Sequence, residues 1–216
     1  PTVTLTSASG SEDTAIALDI SVSVPGSTET VSSVTISGVP TGASLSVGTD
    51  NGDGSWTLSS AQLDGLTLTP PSNSDADFNI TITATSSDGT TSDPASLAVD
   101  VTALADAPTL SVSSASGDAD TAISLDISSA LTDTDGSESL SITVSGVPTG
   151  ASLSAGTDNG DGTWTLSSGD LSGLTLTPDS GYSGDFNLSV TATSTEGTGG
   201  DTATTVGTLA VSVAAT

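Results

Sequence analysis

The acidic side chains are the groups of this sequence that could bind a metal ion. The chain holds 26 Asp and Glu residues and has no Lys, Arg, His or Cys. Carboxylate and backbone oxygens suit a hard cation such as calcium, which takes about six to eight oxygen ligands. A transition-metal site is disfavoured because imidazole and thiolate ligands are absent. The composition therefore predicts Ca²⁺ as the cofactor.

Eight of the acids lie in turns that the strand pattern would bring toward one place. Two precede the second predicted strand, two precede the sixth, one follows the seventh, and three lie in a loop of the second half of the chain. In that order they are Glu12 and Asp13, Asp75 and Asp77, Asp106, and Asp133, Asp135 and Glu138. We predict these eight as metal ligands, and the alternative for each is an ordinary solvated turn residue.

The elements that would position these acids are β-strands. Apolar and polar residues alternate along the chain, and helical periodicity is nearly absent. Turn residues separate the alternating segments, as is typical of an immunoglobulin-like sandwich. The inward residues of the first half predict strands A (Val3, Leu5), B (Ile16, Leu18, Ile20), C (Val34, Ile36), D (Leu45, Val47), E (Trp56, Leu58, then Leu66, Leu68), F (Phe78, Ile80, Ile82, Ala84) and G (Leu97, Val99, Val101). Strand E is predicted as one interrupted strand, with a single helical turn in its gap.

The second half of the chain repeats the first. Residues 38–70 return as 146–178 with 28 of 33 positions identical. Length changes between the copies fall between strands, which indicates a duplicated domain. We predict an all-β chain of two tandem immunoglobulin-like (cadherin-like) β-sandwich domains, 1–107 and 108–216, in an end-to-end rod with a linker at about 103–108.

Strand direction predicts where the acids meet. Successive strands of a seven-stranded sandwich run in opposite directions, so the A–B turn, the E–F loop and the end of strand G share one end of the domain. The B–C loop of the next domain, 132–138, would face the same end. Carboxylates gathered without a basic partner repel one another unless they bind protons or cations. The sequence therefore predicts a calcium-held junction at the linker.

The composition also excludes several functions. Nucleic acid is excluded as a partner, because nothing in the chain can neutralise a phosphate. No run of about 18 apolar residues occurs, so direct membrane insertion is not expected. Catalytic triads, Schiff bases and His-based acid–base catalysis need residues that the chain lacks, and we expect no enzymatic activity. A chain with one sign of charge repels its own copies, and we expect a monomer.

Alternatives stay open for three features. Trp56 and Trp164 are predicted to plug the sandwich cores, and the alternative is a surface that stacks on sugars. The segment 50–54 and its copy 158–162 are predicted as hairpin turns, with a metal loop as the alternative. A carbohydrate- or ligand-binding module is the rival function, and its best candidate surface is the F–G region 195–208, which its Gly and Thr content predicts to be flexible.

Both halves of the chain resemble the tandem cadherin-like extender repeats of large repeats-in-toxin (RTX) adhesins of Gram-negative bacteria. The resemblance is carried by SEDTAIALDI, TDTDGSESLSITVSGVPTGASLS, DGTWTL, LTLTP, GDFNLSVTATS and ADAPTL. It implies calcium at domain junctions, contacts with neighbouring repeats of the same chain, and a stiff stalk outside the bacterial cell. Such a stalk would project adhesive domains for cell adhesion and biofilm formation.

The arrangement also resembles that of animal cadherins. Their linker, A–B glutamate, E–F acids and following Asp-x-Asp match the acids named above in position. Two departures limit the resemblance. Ala119 stands where the first repeat has Glu12, and 24–27 stands where the second repeat has its acidic loop. The outer end of the first domain is therefore expected to bind metal weakly or not at all. The outer end of the second domain keeps Asp118, Asp120, Asp179 and Asp185 without a following linker, and it is expected to be at best half a site.

Overall fold

The computed structural model describes residues 1–26 and 28–216, and it divides the chain into two compact units, Pro1–Leu104 and Ala105–Thr216. Among the described residues no helix is long and apolar enough to cross a membrane. The division falls between Leu104 and Ala105, three residues before the expected domain boundary. Hydrogen bonds explain the position: the Ala105 amide donates to Oδ2 of Asp201 (3.3 Å), and the Thr205 hydroxyl donates to the Pro108 carbonyl (2.6 Å). The residues of the expected linker from Ala105 onward thus belong to the second unit.

The first unit is a sandwich of short strands with one 3₁₀ turn. Its elements are β1 (Thr2–Leu5), β2 (Ala8–Ser11), β3 (Ile16–Ala17), β4 (Ile20–Ser23), β5 (Val31–Ser37), β6 (Ser44–Leu45), β7 (Thr49–Asp50), β8 (Ser55–Leu58), the 3₁₀ turn Ser60–Leu63, β9 (Thr67–Thr69), β10 (Phe78–Ser86) and β11 (Ala95–Thr102). One sheet has the order β2-β11-β10-β5-β8-β7, and the other side is formed by β3-β9-β6 and the pair β1-β4. Strand β2 runs parallel to β11, and the other pairs are antiparallel.

The core of the first unit is aliphatic and follows the predicted alternation. Ile80, Ile82 and Ala84 alternate along β10 and are fully buried between exposed or half-buried neighbours. Ile36 and Leu68 are fully buried on facing sheets. Burial of such side chains contributes roughly 1.5–3 kcal/mol each to folding. The all-β, two-domain immunoglobulin-like fold predicted from the sequence is confirmed.

The predicted strand E is wrong. Trp56 and Leu58 lie in β8, which pairs with β5, whereas Leu68 lies in β9, which pairs with β3 and β6 in the opposite sheet. The 3₁₀ turn between them, expected as a helical turn, carries the chain from one sheet to the other. Trp56 and Leu68 both face the same core, although their strands lie in different sheets. Alternation alone therefore could not assign the two strands to different sheets.

The second unit repeats this plan with longer final strands. Its elements are β12 (Thr109–Val112), β13 (Ala115–Asp118), β14 (Ile123–Ser124), β15 (Ile127–Ala130), β16 (Glu138–Ser145), β17 (Ser152–Leu153), β18 (Thr157–Asp158), β19 (Thr163–Leu166), the 3₁₀ turn Ser168–Leu171, β20 (Thr175–Thr177), β21 (Gly184–Glu196) and β22 (Thr202–Ala214). Its large sheet has the order β13-β22-β21-β16-β19-β18. Most of the region 195–208, expected to be a flexible loop, is instead regular hairpin, with Thr195 paired to Thr202.

Candidate metal centre

Hydrogen bonds hold the linker residues onto the acidic end of the second unit. The Asp106 amide donates to Oε1 of Glu138 (2.6 Å), and the Ser194 hydroxyl donates to the Asp106 carbonyl (2.5 Å). The Thr132 hydroxyl donates to the Ala107 carbonyl (2.7 Å). The linker backbone is therefore fixed beside the loop 132–138 and beside the end of β21, and Asp106 is half-buried there.

The loop between β15 and β16 is shaped by two successive aspartate turns. Oδ1 of Asp133 accepts a hydrogen bond from the Asp135 amide, and Oδ1 of Asp135 accepts one from the Ser137 amide, both at 2.8 Å. Aspartates that bond the backbone two residues on are a common turn device. Gly136 has φ +102, a conformation that L side chains rarely adopt. The loop thus holds Asp133 at 2% exposure, while Asp135 remains exposed.

A pair of glutamates faces the same region from neighbouring strands. Glu138 and Glu196 are directly opposite partners in the antiparallel pair β16–β21, and Glu196 is buried. Like charges at directly opposite positions destabilise a sheet. Burial raises the pKa of Glu138, and the carboxylates of Asp133, Asp106 and Asp135 raise it further, against a lowering by the hydrogen bond from the Asp106 amide. This end of the unit is therefore a site where negative charge is unfavourable unless it is neutralised.

Two carboxylate oxygens in this group are buried without a hydrogen-bond partner among the described residues. They are Oδ2 of Asp133 and Oε2 of Glu138. Among the described residues the Ser137 hydroxyl is also buried without a hydrogen-bond partner. A buried charge without compensation is costly, and proteins pair it, protonate it or bind a metal to it. The chain has no Lys, Arg or His to serve as partner. An added cation would supply such compensation, and the oxygen-only donor set fits calcium.

The pKa of Glu138 gives a test of this electrostatic strain. A carboxyl whose pKa is raised on folding stabilises the fold at acidic pH, and this contribution is lost as the pH rises through the folded pKa. We expect Glu138→Gln to raise the melting temperature of the calcium-free protein by a few degrees near pH 7, because Gln stays neutral and keeps an acceptor for the Asp106 amide. The difference from the parent should shrink to nothing as the pH is lowered toward about 4, the usual range of Glu titration.

An aspartate with the opposite pKa shift is the control for this measurement. The Thr163 hydroxyl and amide lower the pKa of Asp161, so its ionised form favours the fold. Asp161→Asn should lower the melting temperature near neutral pH, and this deficit should also vanish on acidification. Melts followed by circular dichroism in a chelator would show both trends. A Glu138→Gln variant that is less stable than the parent at pH 7 would contradict the assigned strain.

In the first unit, the predicted acids bind backbone amides near the end of β11. Glu12 is 1% exposed, and its Oε1 accepts a hydrogen bond from the Leu104 amide (2.8 Å). Oδ1 of Asp77 accepts one from the Val101 amide (2.7 Å). The Glu12 amide itself donates to the carbonyl of Thr102 (3.0 Å). The A–B turn and the E–F loop thus meet the end of the last strand, as strand direction predicted.

Asp13 and Asp75 have different positions in this end of the first unit. Asp13 is exposed and has φ +54, and its Oδ1 accepts a hydrogen bond from the Asn73 amide (3.1 Å). It therefore ties the A–B turn to the E–F loop. Asp75 is half-buried within that loop. Glu12 is the most enclosed of the four acids predicted here, and Asp13 and Asp77 are both exposed.

The same end of the second unit keeps this backbone without the glutamate. The Ala119 amide donates to the Ala214 carbonyl (2.8 Å), as the Glu12 amide does in the first unit, and Ala119 is buried. Oδ1 of Asp120 accepts from the Gly181 amide (2.8 Å). The fold of a unit therefore does not need a carboxylate at this position. The segment 24–27 stands in sequence where the second unit has its acidic loop, and residue 27 lies outside the described residues.

One acid of the second unit's group was not predicted from the sequence. Glu196 lies in the region 195–208, which was predicted to be flexible. Its position opposite Glu138 depends on β21 extending for 13 residues, whereas the corresponding β10 has nine. The signal that could have found it is the continued alternation Leu188, Val190, Ala192, Ser194, Glu196, which places the glutamate on the inward side.

No protein-family model matches the chain, and no curated protein sequence matches it either. Similar solved structures include the D00-D0 domain of intimin, with 16% identity, coverage of 96% of this chain and 98% of that chain, and a TM-score of 0.34. Titin Z1Z2 in complex with telethonin has 13% identity, coverage of 99% and 97%, and a TM-score of 0.32. Drosophila N-cadherin EC1-4 has 14% identity and a TM-score of 0.27, and the match covers 96% of this chain and 47% of that one.

These TM-scores are low, so the fold is assigned from the strand pairing of each unit. In each large sheet the last two strands of the unit pair with each other, and the second-to-last strand also pairs with β5 or β16. The last strand pairs on its other side with a parallel strand, β2 or β13, which forms the edge of the sheet. This arrangement occurs twice along the sequence with the same element order. The chain is a tandem pair of immunoglobulin-like β-sandwich domains.

Proposed function

We propose that this chain is a structural extender segment of a bacterial surface adhesin, stiffened by calcium at the junction of its two domains. Its role is mechanical: it spaces adhesive domains away from the cell in an extracellular medium that supplies calcium. The observation that carries the proposal is Oδ2 of Asp133, which is buried and has no hydrogen-bond partner within 1–26 and 28–216, in a chain without any basic side chain.

Calcium fits the acidic end of the second unit better than other cations. Carboxylates of Asp106, Asp133, Asp135, Glu138 and Glu196 and nearby backbone carbonyls offer oxygen donors of mixed type. Calcium accepts mixed, irregular oxygen ligands at roughly 2.3–2.6 Å, whereas magnesium requires a stricter octahedron. Binding would remove the repulsion between these groups and fix the loop 132–138 against the linker.

The linker connects this group to the acids of the first unit. Leu104 is held by Glu12 through its amide, and Asp106 is held by Glu138 through its amide. Only one residue separates these two anchored positions in the sequence. A calcium-bound linker would therefore have little freedom at its centre, which is the property that a stalk segment requires.

The experiment that tests the proposal is small-angle X-ray scattering in calcium and in a chelator. We expect a narrow distribution of interatomic distances with calcium and a broad one without it, because ions remove the conformational freedom of the hinge. The double variant Asp106→Ala with Asp135→Ala should give the broad distribution even in calcium, while both sandwiches remain folded. Both changes remove exposed or half-buried side chains and leave the backbone hydrogen bonds of Asp106 in place.

The matched control carries the same loss of charge away from the linker. Asp64 and Asp93 are exposed acids of the first unit. Their double replacement by Ala should leave the response to calcium unchanged. Identical scattering curves with calcium and with the chelator would defeat the proposal, and a carbohydrate- or ligand-binding module would then be the remaining function.

A further inference from the structure

Each unit has a small pocket between a short hairpin and the loop that follows strand β5 or β16. In the first unit the pocket of about 210 Å³ is lined by residues 39–43, Asp50 and Trp56, with Gly52 and Gly54. In the second unit the corresponding pocket of about 330 Å³ is lined by residues 147–151, Asp158, Asp161 and Trp164 with their glycines. These volumes lie below or just above the lower limit of drug-sized sites. A small ligand, or the head of a larger one, is the occupant they fit.

The geometry places one carboxylate beside each indole. Asp50 is the directly opposite partner of Trp56 in the antiparallel pair β7–β8, and Asp158 has the same relation to Trp164. Side chains of directly opposite residues project from the same face with Cβ atoms about 4.5–5.5 Å apart. Trp56 and Trp164 are half-buried and pack against the cores of their units. Each ring therefore has one region in the core and another on the pocket wall.

The carboxylates of these pockets retain capacity for a ligand. Oδ1 of Asp50 accepts a hydrogen bond from the Gly52 amide (2.9 Å), and Oδ1 of Asp158 accepts one from Gly160 (2.8 Å). In both cases the bond orients the side chain and leaves Oδ2 for another donor. Together with the pairs β7–β8 and β18–β19, these bonds confirm the hairpin-turn interpretation of 50–54 and 158–162. Each turn uses only one of the two carboxylate oxygens of its aspartate in these bonds.

We infer that the two pockets bind small organic cations, with an alkylammonium group held between the indole and the carboxylate. A cation over an indole face is attracted by the ring quadrupole, and an adjacent carboxylate adds a direct counter-charge. The net charge of −26 raises the local concentration of cations and repels anionic ligands. A neutral sugar would use the ring but would gain nothing from the charge. Alkylammonium groups occur in free quaternary amines and in lysine side chains, and both present the same chemistry.

The duplication provides two nearly equal sites in one chain. All nine residues that line the first pocket have identical counterparts in the second, within the segment in which 28 of 33 positions agree. We therefore expect two sites of similar affinity per chain. The one additional carboxylate on the second pocket is Asp161, which the Thr163 hydrogen bonds keep ionised by lowering its pKa.

The two tryptophans make the test direct, because the chain has no others. Intrinsic fluorescence would be measured during titration of the full chain with choline at fixed ionic strength. We expect saturable change with choline and with Nα-acetyl-lysine amide. The neutral isostere 3,3-dimethylbutan-1-ol should bind at least tenfold more weakly, because it has the shape of choline without the charge. The relative affinities of choline and the lysine amide distinguish a free quaternary amine from a partner's side chain.

Variants separate these pockets from general attraction of cations to an acidic protein. Asp50→Asn with Asp158→Asn should weaken choline binding at least tenfold, since Asn retains the acceptor for the glycine amide and loses the charge. Asp64→Asn with Asp93→Asn, an equal loss of charge at two exposed sites outside both pockets, should leave the affinity unchanged. Trp56→Phe would leave Trp164 as the single reporter, with about half the total signal.

Several results would overturn the inference. They are equal binding of choline and its neutral isostere, unchanged affinity in the Asp50→Asn and Asp158→Asn variant, or a fluorescence response to glucose but not to choline. Absence of any response to choline would have the same meaning. None of these depends on the calcium measurements, because choline binding is expected equally in calcium and in a chelator.

Discussion

Calcium is expected to raise the melting temperature of the chain, and replacement of Asp133 is expected to remove most of that rise. A ligand present at a hundred times its dissociation constant adds about 2.7 kcal/mol to the free energy of unfolding through one site. For a domain of this size each kcal/mol corresponds to roughly 4–8 °C. Asp133→Asn preserves Oδ1 as the acceptor for the Asp135 amide, so the loop 132–138 should keep its shape. The substitution replaces Oδ2, the buried oxygen that a cation would bind, by an uncharged amide nitrogen.

The sign of the Asp133→Asn effect should depend on calcium. In a chelator the variant should equal or exceed the parent in stability, because a buried charge without a counter-charge has been removed. In calcium the parent should be the more stable of the two. Calorimetry in both buffers measures the difference, and magnesium should give a smaller gain than calcium because its octahedral shell is stricter.

The control for Asp133 is an acid of equal charge in an exposed position. Asp93→Asn should melt like the parent in both buffers, because Asp93 is exposed and lies outside the acidic groups described above. A parent that melts at the same temperature with calcium and with chelator would contradict calcium binding at this site. A calcium effect that Asp133→Asn leaves intact would show that other residues bind the ion.

Most of the strands, their inward faces and the turns that share one end of a unit could be predicted from the sequence. Residues such as Ile80, Ile82 and Leu97 alternate so regularly that their strands and inward faces follow from pattern alone. The placement of Glu12 and Asp77 at the end of β11 followed from strand direction, because antiparallel succession fixes which turns share an end. These features depend on local rules that hold along the whole chain.

Other features depended on distances that a pattern does not contain. Strand β9 lies in a different sheet from β8 because a 3₁₀ turn carries the chain across the sandwich, and the similar inward alternation on both sides of that turn concealed the crossing. Glu196 was missed because its role requires the extra length of β21, which the register with β16 and β22 determines. The linker joined the second unit through hydrogen bonds from Ser194 and Thr132, two hydroxyl groups that no motif distinguishes from other Ser and Thr residues.

Replacement of Glu12 by Ala is expected to weaken calcium binding strongly. The second unit provides the comparison, because it has an alanine at the equivalent position. Ala119 occupies the equivalent position and keeps the same backbone hydrogen bond, so Glu12→Ala should leave the sandwich folded. In calcium we expect the variant to bind calcium at least tenfold more weakly than the parent, which corresponds to about 1.4 kcal/mol or more. Loss of a buried carboxylate ligand to a hard cation would account for that magnitude. Isothermal titration with calcium measures the affinity.

The reciprocal change tests whether the glutamate alone is sufficient. Ala119→Glu places a carboxylate at the end of the second unit, where Asp120 and Asp185 already lie near the last strand. Because Ala119 is buried and the chain has no basic side chain, the added charge should lower the melting temperature in a chelator. A gain in calcium stoichiometry in Ala119→Glu would show that a glutamate at this position is sufficient to complete a calcium site. Unchanged calcium affinity in Glu12→Ala would show that Glu12 is not a calcium ligand.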